Sequence, residues 1–169
     1  MTKRLLCLSV VMLAVVSARA GVVDLAKSSG IKGGLIVHLG CADGLETAKL
    51  LLDDKYQVHG LAADDATVAA ARKNIHAAKV YGKVSVVRYN PARLPYVDNL
   101  VNLLIDSSGG KVATKEIMRV LVPGGAAFIG GKKVVKPWPK DIDQWTHFLH
   151  GPDNNAVARD SKAGMPRSM

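Results

Sequence analysis

The sequence predicts an α/β fold built on a doubly wound, mostly parallel sheet of about five strands. Three observations lead there. Leu35–Gly40 and Leu100–Ser108 are nearly continuous apolar runs of strand length, as expected for strands covered on both faces. Stretches of helical period alternate with most of the strand-like runs, which implies parallel pairing through right-handed crossovers. Glycines punctuate the junctions, as in "GIKGG" (30–34), "GCADG" (40–44) and "VPGG" (122–125).

Element by element, "VVDLAKSSG" after Gly21 is a short helical piece, broken by Gly30, Gly33 and Gly34. "LIVHLG" (Leu35–Gly40) is the first strand. "LETAKLLLD" follows as a helix with Leu45, Ala48, Leu51 and Leu52 on one face and Asp43 placed to cap it. "QVHGLAA" (Gln57–Ala63) is the second strand. Asp64 and Asp65 then cap an alanine-rich helix running to about Ala78, a composition of high helix propensity. "KVSVVRY" (Lys83–Tyr89) and "LVNLLIDSS" (Leu100–Ser108) are the third and fourth strands. "KVATKEIMRVL" (Lys111–Leu121) is a helix with Ser107 or Ser108 as its cap, and "VPGG" ends it. "AAFIGG" (Ala126–Gly131) is the fifth strand. After it no convincing antiparallel pair is visible, although "KKVVK" has the makings of one short strand.

A chain of 169 residues carries one domain with a real core and is short for two. Aromatic residues are few, so the core should be aliphatic. The formal net charge is +9, but the cations, among them Lys32, Lys55, Arg72, Lys83, Arg93, Lys132 and Lys140, are scattered. No dense basic tract with interleaved aromatics appears, so the charge reads as solubility and not as a nucleic-acid surface. Lys3 and Arg4, the apolar run Leu5–Val16 and the small residues of "SARA" (17–20) have the layout of a secretory signal peptide cut after Ala20. The run is shorter than the ~20 residues of a membrane span, so the expected address is exported, with no stable span after cleavage. Cys7 lies too early in the run for lipid attachment. Cleavage leaves Cys41 alone, which excludes an intramolecular disulfide and favours a buried apolar role. The expected organisation is a signal peptide at 1–20, the α/β domain at 21–131 and a linker or strap at 132–169. That strap is rich in Pro, Gly, Asn and Asp, and Trp138 and Trp145 are candidates to dock it or to meet a protein partner. His147 and His150 lack a third ligand in a fixed frame and do not read as a metal site.

The chemistry is expected at the first strand-to-helix turn, since ligands of doubly wound sheets lie beyond the carboxyl ends of the strands. Gly40 lets the chain turn sharply, Gly44 lets a ligand approach, and the helix that follows offers free N–H groups to a carboxylate or phosphate. The second strand ends in "GLAADD", where such sites place an acid for ribose hydroxyls. The full glycine fingerprint of a dinucleotide-dependent oxidoreductase is absent, and no nucleophile elbow of a hydrolase appears.

"VHLGCADG", "VHGLAADDATVAAARKNI", "VSVVRYNPARLPYVDNLVNLLI" and "EIMRVLVPGGAAFIG" resemble, in order and spacing, the successive motifs of class I S-adenosylmethionine-dependent methyltransferases, over about Leu35 to Gly131. "LPYVDN" and "RVLVPGG" are most similar to the subgroup acting on small molecules. The resemblance implies a Rossmann-like methyltransferase fold, S-adenosylmethionine as cofactor and a small, unidentified methyl acceptor. It implies a cofactor shell of Gly40, Ala42, Gly44, Ala62, Asp64 and Asn90, with the glycines by the methionine part, the second-strand end by the ribose and Asn90 by the adenine. No single catalytic residue is implied, although the resemblance places a substrate-side residue at the end of the fourth strand, where Asp106, Ser107 and Ser108 stand, as an alternative to the serine cap. The chain departs from the pattern at His38 and Ala62, where the family carries acids, at Ala42, where it carries glycine, and at Asn90 and Asn102, which replace aspartates. Losing a ribose-gripping carboxylate costs a few kcal/mol, at ~1.5–3 kcal/mol per charged hydrogen bond. That leaves a second expectation, a methyltransferase fold without catalysis that serves as a structural or interaction module. "DQWTHFLHGPDNNAVARDS" resembles the junction that leads into a quinoprotein-like β-propeller in large exported proteins of planctomycetes.

Overall fold

The computed structural model describes residues 21–161, so the signal-peptide reading of residues 1–20 lies outside the described residues, as do 162–169. The element order is α1 (Val22–Ser28), β1 (Gly34–Leu39), α2 (Leu45–Lys49), β2 (Tyr56–Ala62), α3 (Asp65–Ala77), β3 (Val84–Arg88), β4 (Val101–Asp106), α4 (Thr114–Val120), β5 (Leu121–Ile129) and β6 (Lys132–Val135). The strands form one sheet in the order β3-β2-β1-β4-β5-β6, parallel except for β6. The chain runs outward from β1 to β3, then returns to lay β4 on the other side of β1. That reversal is the switch point where such sheets bind ligands.

Alternation of side chains along the strands divides the core in two. Ile36, Val58, Leu103 and Ile105 face α1, α2 and α3, and pack with Ala26, Leu50, Ala71 and Ile75. Val37, Leu39, Leu61 and Leu104 face α4, and pack with Leu94, Ile117 and Val120. Both faces of the central strands are therefore covered, which explains why β1 and β4 read as nearly continuous apolar runs. The long connection between β3 and β4 is pinned to α4. Arg119 donates to Glu116, to Asp98 and to the Tyr96 carbonyl, and the Leu94 N–H donates to Glu116 at 2.7 Å.

The sheet has one strand more than expected. Gly130 and Gly131, with φ of +55° and +80°, make a two-residue turn that pairs Ile129 with Lys132 and folds "KKVV" antiparallel on β5. Residues 132–135, assigned from sequence to the strap, thus belong to the domain. "VPGG" does not separate helix from strand. β5 begins at Leu121, and the glycines absorb a register shift between Val101 and Leu103. The helix caps also differ. Asp64 caps α3 through Thr67, as expected. α4 is preceded by Ala113 without a side-chain cap, and α2 by Gly44, with Asp43 accepting only from the Leu45 N–H.

Gly44 has a packing role. Its φ is +80°, and a Cβ there would stand 2.9 Å from Ala71 Cα, so it lets α2 lie against α3. Gly44→Ala should therefore combine left-handed strain of ~1–2 kcal/mol with overpacking of ~1–3 kcal/mol. Gly109→Ala, also at positive φ but facing open space, should cost only the strain. Urea denaturation of the two variants checks this, and equal losses would contradict the packing role.

Candidate functional site

The turn after β1 and the loop after β4 are built against each other. The Gly40 N–H donates to Leu61 of β2 at 2.9 Å, and the Ser107 N–H donates to Leu39 of β1 at 2.9 Å. Gly40 has φ +74°, and a Cβ there would lie 2.8 Å from Ser108 N and 2.9 Å from the Ser107 carbonyl carbon. No side chain fits, so glycine is required where the two loops meet. Asp106 organises the far side. One carboxylate oxygen accepts from the Ser108 N–H and hydroxyl at 2.8 and 2.6 Å, and the other from the Gly110 N–H at 3.1 Å.

His38 braces the same junction from below. It is 3% exposed. Its Nδ1 lies 2.8 Å from Thr47 Oγ1 in α2, and its Nε2 lies 3.0 Å from Ser107 Oγ. Burial pushes its pKa down to about 4, against the opposing fields of Glu46 and Asp106. A neutral imidazole with both nitrogens occupied is a strut and not a ready general base. Cys41, also buried, has its thiol pushed up to about 11 by desolvation and is an apolar core residue, as expected.

Two cavities open at the carboxyl edge of the sheet. The smaller, about 230 Å³, is walled by Gly40, Ala42, Ala62, Asp64, Ser107 and Lys111, with Tyr89 and Thr67 completing it. The larger, about 660 Å³, lies between α1 and the ends of β4 and β5. Val22, Leu25, Phe128 and Ile129 make it mainly apolar, and Asp106 and Ser107 are its polar side chains. Ser107 lines both cavities and so forms the partition between them.

Of the residues expected in a cofactor shell, Gly40, Ala42, Ala62 and Asp64 line the smaller cavity. Gly44 faces α3 behind it. Asn90 closes its own turn, accepting from the Ala92 N–H at 2.9 Å, and does not line the cavity. Ala42 sits at φ +40°, a conformation that favours glycine. Asp64 accepts from the Thr67 N–H and hydroxyl, both at 2.8 Å, and these bonds hold its carboxyl below the usual range. A carboxylate has about four lone-pair sites, so Asp64 keeps acceptor capacity toward the cavity. Asn102 lies at the other end of β4, where its side-chain oxygen accepts from the Leu35 N–H at 2.9 Å. Its departure from aspartate has no bearing on the cavity, and the acid at the carboxyl end of β4 is Asp106. Sequence reading missed Lys111, Thr67 and Tyr89 as lining residues. Only the position of Lys111 just past the fourth strand signalled it.

The strap beyond β6 follows the domain only at its start. Trp138 lies against Gly124. Trp145 stacks edge-on upon His150 with ring centroids 5.3 Å apart. Asp143 gathers the segment, accepting from the Arg159 N–H at 2.8 Å and pairing with His150 Nε2 at 2.6 Å. Among the described residues no group of three or more His, Cys, Asp or Glu is placed to hold a metal ion.

Residues 37–129 match the family described as methyltransferase domain, more than half of the chain. The chain belongs to this methyltransferase-domain family. Solved structures share the fold. A SAM-dependent methyltransferase from Aquifex aeolicus matches at 18% identity and TM-score 0.55, over 61% of this chain and 59% of that one. Geranyl diphosphate C-methyltransferase from Streptomyces coelicolor A3(2) matches at 17% identity and TM-score 0.55, over 62% and 42%. The [4+2]-cyclase SpnF matches at 24% and 0.55, over 63% and 42%, so the shared scaffold is not tied to one reaction. The chain spans less than two thirds of the length of each. No curated protein matches the sequence.

His38 makes the stability of this junction pH-dependent. Its folded pKa lies below the ordinary 6.5 of the unfolded chain, so the unfolded state takes up a proton first as pH falls. The contribution of neutral His38 is complete above pH 6.5 and is lost between 6.5 and about 4, up to ~3 kcal/mol by linkage. His38→Gln should flatten that part of the stability–pH curve measured by urea unfolding. An unchanged slope would contradict the buried strut.

Proposed function

We propose that this domain binds S-adenosylmethionine in the smaller cavity and transfers its methyl group to a small acceptor held in the larger one. The observation that carries the proposal is the pair of cavities at the switch point, divided by Ser107 and its His38 brace. The polar groups of the smaller cavity suit the cofactor. Asp64 takes over the ribose hydroxyls from the strand end, where Ala62 offers only a methyl group, and the bare backbone at Gly40 and Ala42 faces the methionine part. When bound, the cofactor supplies an electrophilic methyl on its sulfonium. The protein's part is to orient the acceptor toward that methyl and to exclude water, which needs position more than acid–base chemistry. The apolar walls at Val22, Leu25 and Phe128 suit a small organic acceptor with little charge.

We place this activity outside the cytoplasm, on the strength of the N-terminal signal-peptide pattern. The strap is the segment we assign to a protein partner or a following propeller. It leaves Trp145, Val157 and above all Phe148 (95% exposed) uncovered.

Calorimetric titration of the chain with S-adenosylmethionine tests the proposal. Micromolar binding is expected. Asp64→Asn, which preserves the α3 cap, should weaken it by about tenfold, the loss of one charged contact. No binding up to millimolar ligand by a folded chain would overturn the enzyme reading and leave a structural module.

A further inference from the structure

We propose that Lys111 is a cofactor-binding residue whose ammonium pairs with the methionine carboxylate of S-adenosylmethionine, opposite the ribose contact at Asp64. The inference rests on the cofactor reading above and adds the residue that orients the ligand. Asp64 and Lys111 are the charged side chains lining the smaller cavity. They stand on opposite sides of β1, since Asp64 follows β2, Lys111 follows β4, and the strands run in the order β2-β1-β4. Among the described residues no ion pair joins them. Lys111 has no ion-pair partner among the described residues.

The backbone at Lys111 is held from both sides. Gly110 is bonded to Asp106, and Val112 is buried in the core beside α4. Lys111, on an anchored backbone and in no ion pair among the described residues, lines a cavity whose other end carries an ionised acid. That arrangement fits a ligand with hydroxyl donors at one end and a carboxylate at the other. S-adenosylmethionine has both. Gly40 and Ala42 line the cavity between the two charges with little or no side chain, as a slender aliphatic link requires.

The test compares two ligands in calorimetric titrations of the full chain. S-adenosylhomocysteine carries the carboxylate, and 5′-methylthioadenosine keeps the ribose and adenine without it. Lys111→Met should weaken S-adenosylhomocysteine by about tenfold and leave 5′-methylthioadenosine within about twofold. Lys111→Arg should restore most of the loss, and added salt should weaken S-adenosylhomocysteine more than 5′-methylthioadenosine. Lys111 is exposed, so the fold should tolerate both changes, and Lys111→Gln repeats the test in a polar variant. An unchanged S-adenosylhomocysteine affinity, or an equal loss for both ligands, would overturn the assignment while the cofactor reading stands. Failure of the unaltered chain to bind either ligand would overturn the cofactor reading and this inference with it.

Discussion

The close contact between Gly40 and Ser107–Ser108 is the constraint on which the site depends. Parallel strands β1 and β4 deliver two loops to the same edge, and both cannot occupy it unless one gives up its side chain. Gly40 does so, at a φ open to glycine and strained for other residues. Once the loops touch, Ser107 has a cavity on each side, Asp106 is free to organise the residues after it, and Lys111 is delivered to the rim. A methyl group at position 40 would push the two loops apart and merge or collapse the cavities.

His38 shows how a buried polar side chain can serve a structural task. An acid there would carry a charge between α2 and β4. Histidine carries two ring nitrogens, and each finds a hydroxyl, Thr47 on one side and Ser107 on the other. The bonds satisfy a buried polar group that would otherwise cost about 1–3 kcal/mol. Asp64, two residues after Ala62, lines the same cavity and also caps α3.

Much of the fold was legible in the sequence because its strongest signals are one-dimensional. The apolar runs of β1 and β4, the alanine-rich α3 and its Asp64 cap follow from pattern and propensity alone. The motif order brought the fold class with it. The features missed depend on contacts between distant residues. β6 is a short, half-polar strand, visible in the sequence only as a possible strand in "KKVVK", and its antiparallel pairing with β5 through the Gly130–Gly131 turn was not legible there. The assignment of Ser107 or Ser108 to the α4 cap failed because α4 begins only at Thr114, with Ala113 at the cap position, while Asp106 holds Ser108 and Ser107 serves His38. Gly44 carries a glycine's local signature, but its close packing against Ala71 depends on a residue distant in sequence. Lys111 looked like any helical lysine, and only the position of β4 beside β1 brings it to the cavity.

The central claim is that the carboxyl edge around the Gly40–Ser107 junction is a ligand site of nucleoside shape. The most direct measurement is a map of backbone amide shifts by ¹H–¹⁵N NMR during titration with S-adenosylhomocysteine. The account predicts the largest shifts at Gly40–Ala42, Ala63–Asp64 and Ser107–Lys111, on both sides of β1. Shifts confined to the opposite edge of the sheet, around Gly34, Lys55 and Lys83, where another cavity lies, or no shifts at millimolar ligand, would contradict it.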